Sequence, residues 1–116
     1  MKDKISLFLD DVRSPSSHRW EVVKTYDQFV TQIRMHGLES YQIISLDHDL
    51  GTEMTGMDAA KFLVEESMAM NTPLPQIYVH SANPVGAANI IGYINAFLKN
   101  CGMPQNCIRV QISHTI

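Results

Sequence analysis

Three short apolar runs in this chain each end in acidic, histidine or serine residues, and this pattern limits the folds that the chain can adopt. The runs, with the residues that follow them, are 5–9 with Asp10 and Asp11, 42–46 with Asp47, His48 and Asp49, and 76–79 with His80 and Ser81. Apolar runs that stop where the chain reaches water are typical of strands buried on both faces of a parallel sheet. The pattern therefore predicts an α/β domain with polar residues at one edge of its sheet.

Helical periodicity fills three of the connections between the predicted strands. Thr25, Thr55 and Asn83 are typical N-cap residues, and each precedes a stretch in which apolar residues recur every three or four positions. Two further β-rich runs lie at 20–24 and 107–112. Strands joined by right-handed crossovers form a parallel sheet, so we predict a flavodoxin-like, three-layer fold with strand order 2-1-3-4-5 and helices on both faces.

The connection after the first strand departs from this alternation. Residues 12–19 are polar and contain Pro15 and three serines. Such a segment favours a loop over a complete helix. We therefore expect the first helix of the fold to be reduced.

Composition favours one domain and argues against several classes of partner. A chain of 116 residues with 45% hydrophobic residues can build one core, so we predict a single domain over residues 1–116. The formal net charge of −3 gives no reason to expect binding to extended duplex nucleic acid. A small phosphorylated substrate or an RNA end remains compatible with this charge.

The cysteines and the hydropathy of the chain indicate where the protein works. Cys101 and Cys107 lack the spacing of a zinc site or a disulfide framework, which indicates reduced thiols. No apolar run reaches the length of a membrane span. We expect a cytoplasmic protein with no membrane partner, and the sequence leaves its oligomeric state open.

The acidic residues that follow the first and third strands are candidate metal ligands. In sheets of this kind, ligands bind outside the carboxyl ends of the strands, where the strand order reverses. Asp10, Asp11 and Asp47 would meet there, and carboxylates packed closely together recruit a cation. The divalent ion that carboxylate oxygens favour is Mg²⁺, with Mn²⁺ or Zn²⁺ as alternatives.

The remaining polar residues at this edge are candidates for phosphate binding and proton transfer. Arg13, Ser81 and Asn83 are the predicted phosphate-binding residues. The predicted catalytic residues are His48, His80, Asp47 and Asp49. A histidine near neutral pH can act as a general acid or base, and imidazoles beside carboxylates can also hold a transition metal.

Each of these residues also has a purely structural interpretation. The pair Asp10 and Asp11 could cap a helix, and His80 could be a hydrogen-bonded histidine of the core. His18, His36 and His114 are interpreted as surface or loop residues. Trp20 and Tyr78 are interpreted as packing residues.

The order of the motifs resembles the receiver domain of two-component signalling. In this resemblance Asp10 and Asp11 correspond to the metal-binding acids, Asp47 to the phosphoacceptor aspartate and Ser81 to the switch hydroxyl. The lysine that receivers carry after the fifth strand is absent, because residues 112–115 read ISHT. The missing amine argues against a receiver that signals in the ordinary way.

Four stretches are more similar to a divergent branch, the cyclic-phosphate-processing receiver domains, which are associated with RNA repair and phage settings. The stretches are LDDVRSP at 9–15, SLDHDLG at 45–51, TGMD at 55–58 and HSANP at 80–84. The resemblance implies a metal-dependent phosphoesterase that acts on a cyclic phosphate of an RNA end or a nucleotide. The alternatives are a signalling module phosphorylated on Asp47 and a binding or inhibitor protein without catalytic activity.

Overall fold

Five parallel strands form the sheet in the order β2-β1-β3-β4-β5. The strands are β1 (Ile5–Leu9), β2 (Trp20–Val23), β3 (Tyr41–Leu46), β4 (Gln76–Val79) and β5 (Ile108–Arg109). The structure is a computed structural model that describes residues 4–15 and 19–111. The predicted fold class and strand order are confirmed, and the predictions for His18 and His114 fall outside the described residues.

The fifth strand is shorter than the sequence predicts. It was expected over 107–112, but it covers Ile108 and Arg109, and residue 112 lies outside the described residues. The backbone N–H of Val110 still donates to the carbonyl of Val79 at 2.9 Å. Arg109 therefore lies at the carboxyl end of β5, at the edge of the sheet where the polar residues of the other strands gather.

The three helices begin where the cap residues predict. They are α1 (Tyr26–His36), α2 (Gly56–Met70) and α3 (Pro84–Asn100), and a short 3-10 helix (Leu38–Ser40) follows α1. The side chains of Thr25, Thr55 and Asn83 each accept a hydrogen bond from the first turn of the helix that follows. None of the helices in the described part of the chain is both long and apolar enough to span a membrane.

The three helices pack on one face of the sheet. The connections β2–α1–β3, β3–α2–β4 and β4–α3–β5 all run in the same direction across the sheet. Because such crossovers are right-handed, α1, α2 and α3 lie on the same face. Leu7, Ile44 and Ile77 from that face join buried side chains of all three helices in one core cluster. No helix occurs among the described residues between β1 and β2. The described residues therefore supply a helical layer to one face.

The opposite face of the sheet is where the polar residues of the site belong. Side chains alternate along a strand, so Phe8 and Asp10 share a face, as do Ser45 and Asp47. Phe8 and Ser45 are fully buried, although neither belongs to the core cluster under the helices. Both residues contact His80, Phe8 by ring stacking and Ser45 through its hydroxyl.

Candidate active site at the carboxyl edge of the sheet

Three buried residues stand side by side at the carboxyl edge of the sheet, and we call them the Asp-Asp-His cluster. Asp10 follows β1, Asp47 follows β3 and His80 follows β4. The backbone N–H of Asp47 donates to Leu9 and that of His80 to Leu46, both at 3.0 Å, so the parallel ladder continues past the strand ends. One side-chain ligand atom from each cluster residue lies within 4.8 Å of the others. Three strand ends thus deliver polar groups to one point, as the sequence predicts.

Asp10 also shapes the loop that follows it. Its Oδ1 accepts hydrogen bonds from the backbone N–H groups of Val12 at 2.9 Å and Arg13 at 2.8 Å. Its Oδ2 lies 3.4 Å from Nε of Arg13. The carboxylate therefore folds the chain into a tight turn and brings the guanidinium to the cluster. Asp10 caps this turn, since no helix begins there.

Asp47 is a carboxyl group in an unfavourable electrostatic position. Burial raises its pKa, and the nearby Asp10 raises it further. The backbone N–H of His48, the guanidinium of Arg13 and the hydroxyl of Ser81 partly offset this effect. The first donates to Oδ1 at 2.8 Å, and Nη2 of Arg13 lies 3.8 Å from the same oxygen. Two neighbouring buried carboxylates therefore share one partly exposed arginine as their counter-charge.

His80 is held as a neutral ring. Its Nδ1 lies 2.6 Å from the hydroxyl of Ser45, and its Nε2 lies 3.2 Å from Oδ2 of Asp10. The ring stacks on Phe8 with 4.1 Å between centroids and 6° between planes. Burial lowers the pKa of His80 to about 4, although the nearby carboxylate of Asp10 acts to raise it. Because a carboxylate oxygen accepts a hydrogen bond, this arrangement puts the proton on Nε2 and leaves Nδ1 to accept from Ser45.

Two adjoining cavities open onto the cluster. The larger, of about 660 Å³, is lined by Arg13, Ser14, His80, Ser81, Ala82, Arg109, Val110 and Gln111. The smaller, of about 340 Å³, is lined by Asp10, Asp11, Val12, Arg13, Asp47, Asp49, Gly51, Ser81 and Ala82. Arg13 and Ser81 line both cavities and so stand at the wall between them.

The other predicted site residues lie at different distances from this centre. Asp11 and Asp49 line the smaller cavity. His48 is not among the residues that line either cavity; its Nδ1 lies 2.9 Å from Oδ1 of Asp49, and its ring packs against Gly86 at the start of α3. Asn83 caps α3 by accepting from the backbone N–H of Gly86 at 3.0 Å, and it is also absent from both linings. The structure therefore brings neither His48 nor Asn83 to the cavity walls.

Arg109 lines the larger cavity, although the sequence analysis did not include it among the candidate site residues. Its Nε and Nη2 donate to the backbone carbonyl of Ser81 at 3.3 and 2.9 Å, and it lines the larger cavity. The predicted strand over 107–112 placed Arg109 in mid-strand, where an exposed charge needs no explanation. Because β5 is short, Arg109 lies at the edge of the sheet instead. The only feature of the sequence that could have indicated this residue is its positive charge in an acidic chain.

This fold and this edge define the class of the protein. A five-stranded parallel sheet in the order 2-1-3-4-5, with aspartates after β1 and β3 and a hydroxyl after β4, is a receiver-like domain. The family model of the cyclic-phosphate processing receiver domain matches residues 5–96, and the chain belongs to this family. Searches of curated proteins and of solved structures found no match.

Proposed function

We propose that this domain is a metal-dependent phosphoesterase that opens a cyclic phosphate on an RNA end or a nucleotide. The observation that carries the proposal is the buried Asp-Asp-His cluster with Arg13 beside it, at the wall between two cavities. Adjacent carboxylates suit a cation, and the guanidinium suits a phosphate oxygen. The name of the family supplies the class of substrate.

The side chains of the cluster fit a divalent ion. Asp10 and Asp47 would supply carboxylate oxygens. His80 would supply Nε2 in its other neutral tautomer, in which Nδ1–H donates to the hydroxyl of Ser45. Mg²⁺ prefers oxygen ligands, whereas imidazole beside carboxylate suits Mn²⁺ or Zn²⁺, so we favour the latter two. A bound ion would polarise a phosphoryl oxygen of the substrate. Asp11 lies in the adjoining cavity as a further acid.

Arg13 and Ser81 are the proposed phosphate-binding residues. The side chain of Arg13 is 42% exposed, and its contacts to the two aspartates are 3.4 and 3.8 Å long. Contacts of this length leave N–H donors free to turn to a phosphate, which guanidinium groups bind through two parallel hydrogen bonds. Ser81 adds a hydroxyl donor at the same wall.

Proton transfer is assigned to Asp49, with His48 as its positioning partner. Both nitrogens of His80 already have partners within the buried site. Asp49, by contrast, lines the smaller cavity and is exposed, and His48 holds one of its oxygens at 2.9 Å. A carboxylate fixed in this way can accept a proton from a water that attacks phosphorus. The bond from phosphorus to one ribose oxygen breaks in the same reaction, and that oxygen takes up a proton from water.

The test is turnover of nucleoside 2′,3′-cyclic phosphates by metal-stripped protein to which Mg²⁺, Mn²⁺ or Zn²⁺ is added back. We expect hydrolysis with Mn²⁺ or Zn²⁺, and a loss of about 100-fold or more in Asp47→Asn and His80→Asn. Glu65→Gln and His36→Asn are matched controls, because both residues are exposed and line neither cavity. Absence of turnover with every metal would refute the enzyme proposal.

A second candidate function is phosphorylation of Asp47 itself. The position of Asp47 and Ser81 on the wall of the same smaller cavity favours it, because these two residues match the acceptor and the switch hydroxyl of receivers. Acetyl phosphate labelling followed by intact mass measurement separates the candidates. A stable adduct that disappears in Asp47→Asn would support signalling over hydrolysis.

A further inference from the structure

We propose that Arg109 forms a second anion subsite, so that the preferred substrate carries another phosphate besides the cyclic one. This inference rests on the proposed function and deepens it by naming a substrate class. Arg109 lies beyond residues 5–96, the part of the chain that the family model matches. The inference therefore depends on the geometry around this residue.

The guanidinium of Arg109 is fixed in place. Two of its five N–H donors bond the carbonyl of Ser81, at 3.3 and 2.9 Å. The same Ser81 directly follows His80 and lines both cavities, so one residue connects Arg109 to the cluster. Three donors remain on a group that is already ordered, and an ordered group loses less entropy when it binds a ligand.

Arg109 also lacks a counter-charge among residues 4–15 and 19–111. Arg13 pairs with Asp10 and Asp47, and Arg34 pairs with Glu66, whereas no described carboxylate lies within 4.0 Å of Arg109. The chain as a whole is acidic, with a formal net charge of −3. A held, unpaired arginine on a cavity wall in such a chain favours an anionic ligand.

The cavity between the two arginines has room for more than one phosphate. Its volume of about 660 Å³ falls in the range of small-molecule sites, roughly 300–1,000 Å³. Ser14 and Gln111 add polar groups to its wall. With the cyclic phosphate at Arg13, the space towards Arg109 would take the sugar and a phosphate on its other side. That phosphate is either a free 5′-phosphate or the last phosphodiester of an RNA strand.

The test measures affinity by titration calorimetry in EDTA, where metal-dependent turnover does not occur. The ligands are adenosine 2′,3′-cyclic phosphate, its 5′-phosphorylated form, and a diadenosine dinucleotide that ends in a 2′,3′-cyclic phosphate. We expect both two-phosphate ligands to bind about 10- to 100-fold more tightly than the first, as a charged hydrogen-bonded contact allows. Tight binding of the dinucleotide alone would identify an RNA end as the source of the second phosphate.

Variants of Arg109 decide the outcome. In Arg109→Gln the advantage of the two-phosphate ligands should fall to within about threefold, and Arg109→Lys should restore part of it. Arg34→Gln is the matched control, since Arg34 lies on α1 and lines neither site cavity. Equal affinities for one-phosphate and two-phosphate ligands in the wild type, or an equal loss for both in Arg109→Gln, would overturn the subsite. Turnover is measured separately, so failure of the enzyme proposal would not be mistaken for failure of this one.

Discussion

At the scale of single residues, the site holds groups that the fold alone would not favour. Asp47 is an acid whose pKa is raised by burial and by Asp10, and His80 is a base whose pKa burial lowers to about 4. Both shifts mean that the charged form of the group is disfavoured in the folded state. Such residues are frequent at functional sites, where binding or catalysis requires them.

Asp47→Asn should stabilise the fold. A folded-state pKa above the unfolded value means that ionisation of Asp47 at neutral pH weakens the native state. An amide keeps an oxygen for the N–H of His48 and removes the charge. We expect the free energy of unfolding at pH 7 to rise by about 0.5–2 kcal/mol, measured by urea denaturation in EDTA. A less stable variant would contradict the assignment of Asp47 as an unfavourable buried charge.

His80 should make stability depend on pH with the opposite sign. Its folded pKa of about 4 lies below the ordinary histidine pKa of 6.5, so the unfolded chain binds more protons between these pH values. Stability should therefore rise with pH across this window, and its loss on acidification approaches about 3 kcal/mol. The Asp47→Asn background removes the opposing titration. Adding His80→Asn to that background should remove most of the dependence of the urea midpoint on pH between pH 4 and 6.5. An unchanged dependence would show that another group titrates.

The titratable residues at the strand ends could be predicted from the sequence, but the residues that hold them in position could not. Asp10, Asp47 and His80 each follow an apolar run. Because the strands are parallel, their carboxyl ends bring these three residues to the same edge of the sheet. Ser45 lies within such a run, so nothing in the pattern indicates that its hydroxyl orients His80. Arg109 was not predicted as a site residue because the predicted fifth strand extended too far. The alternation of apolar and polar residues does not show where the hydrogen bonding of a strand stops.

At the scale of elements, the starts of two helices fix the loop that carries Asp47 and His48. Gly56 begins α2, and its N–H donates to the carbonyl of His48 at 2.7 Å. A Cβ at Gly56 would lie 1.8 Å from the carbonyl oxygen of Asp47, so only glycine allows this approach. Gly86 near the start of α3 meets the other side of the loop, through the ring of His48. The helices therefore position the loop through glycines that the sequence alone did not single out.

Gly86→Ala should displace His48 and reduce turnover without unfolding the domain. The added Cβ would lie 2.4 Å from Cγ of the ring, so the ring must move and Asp49 would lose its partner. We expect kcat for a cyclic phosphate to fall by about tenfold or more. Gly92→Ala is the control in the same helix, because a Cβ there meets nothing within 4 Å and should add up to about 1 kcal/mol of stability. Full activity in Gly86→Ala would remove His48 from the proposed proton transfer.

At the scale of the whole molecule, the cluster depends on the order of the strands. The order β2-β1-β3-β4-β5 makes β3 the neighbour of both β1 and β4, and their carboxyl ends meet in register. Right-handed crossovers and alternating periodicity were enough to predict this order and the edge where the site lies. The prediction of helices on both faces is not met by the described residues, because no helix occurs among them between β1 and β2 and the other three crossovers place their helices on one face.

We propose that Asp10, Asp47 and His80 together would hold one divalent ion, and that Arg13 beside them would bind phosphate. Anomalous diffraction from crystals grown with Mn²⁺ and inorganic phosphate tests it most directly. We expect a manganese peak between the two carboxylates and the imidazole, with a phosphate in contact with Arg13. A well-ordered cluster without a peak, or a peak held elsewhere on the chain, would contradict it.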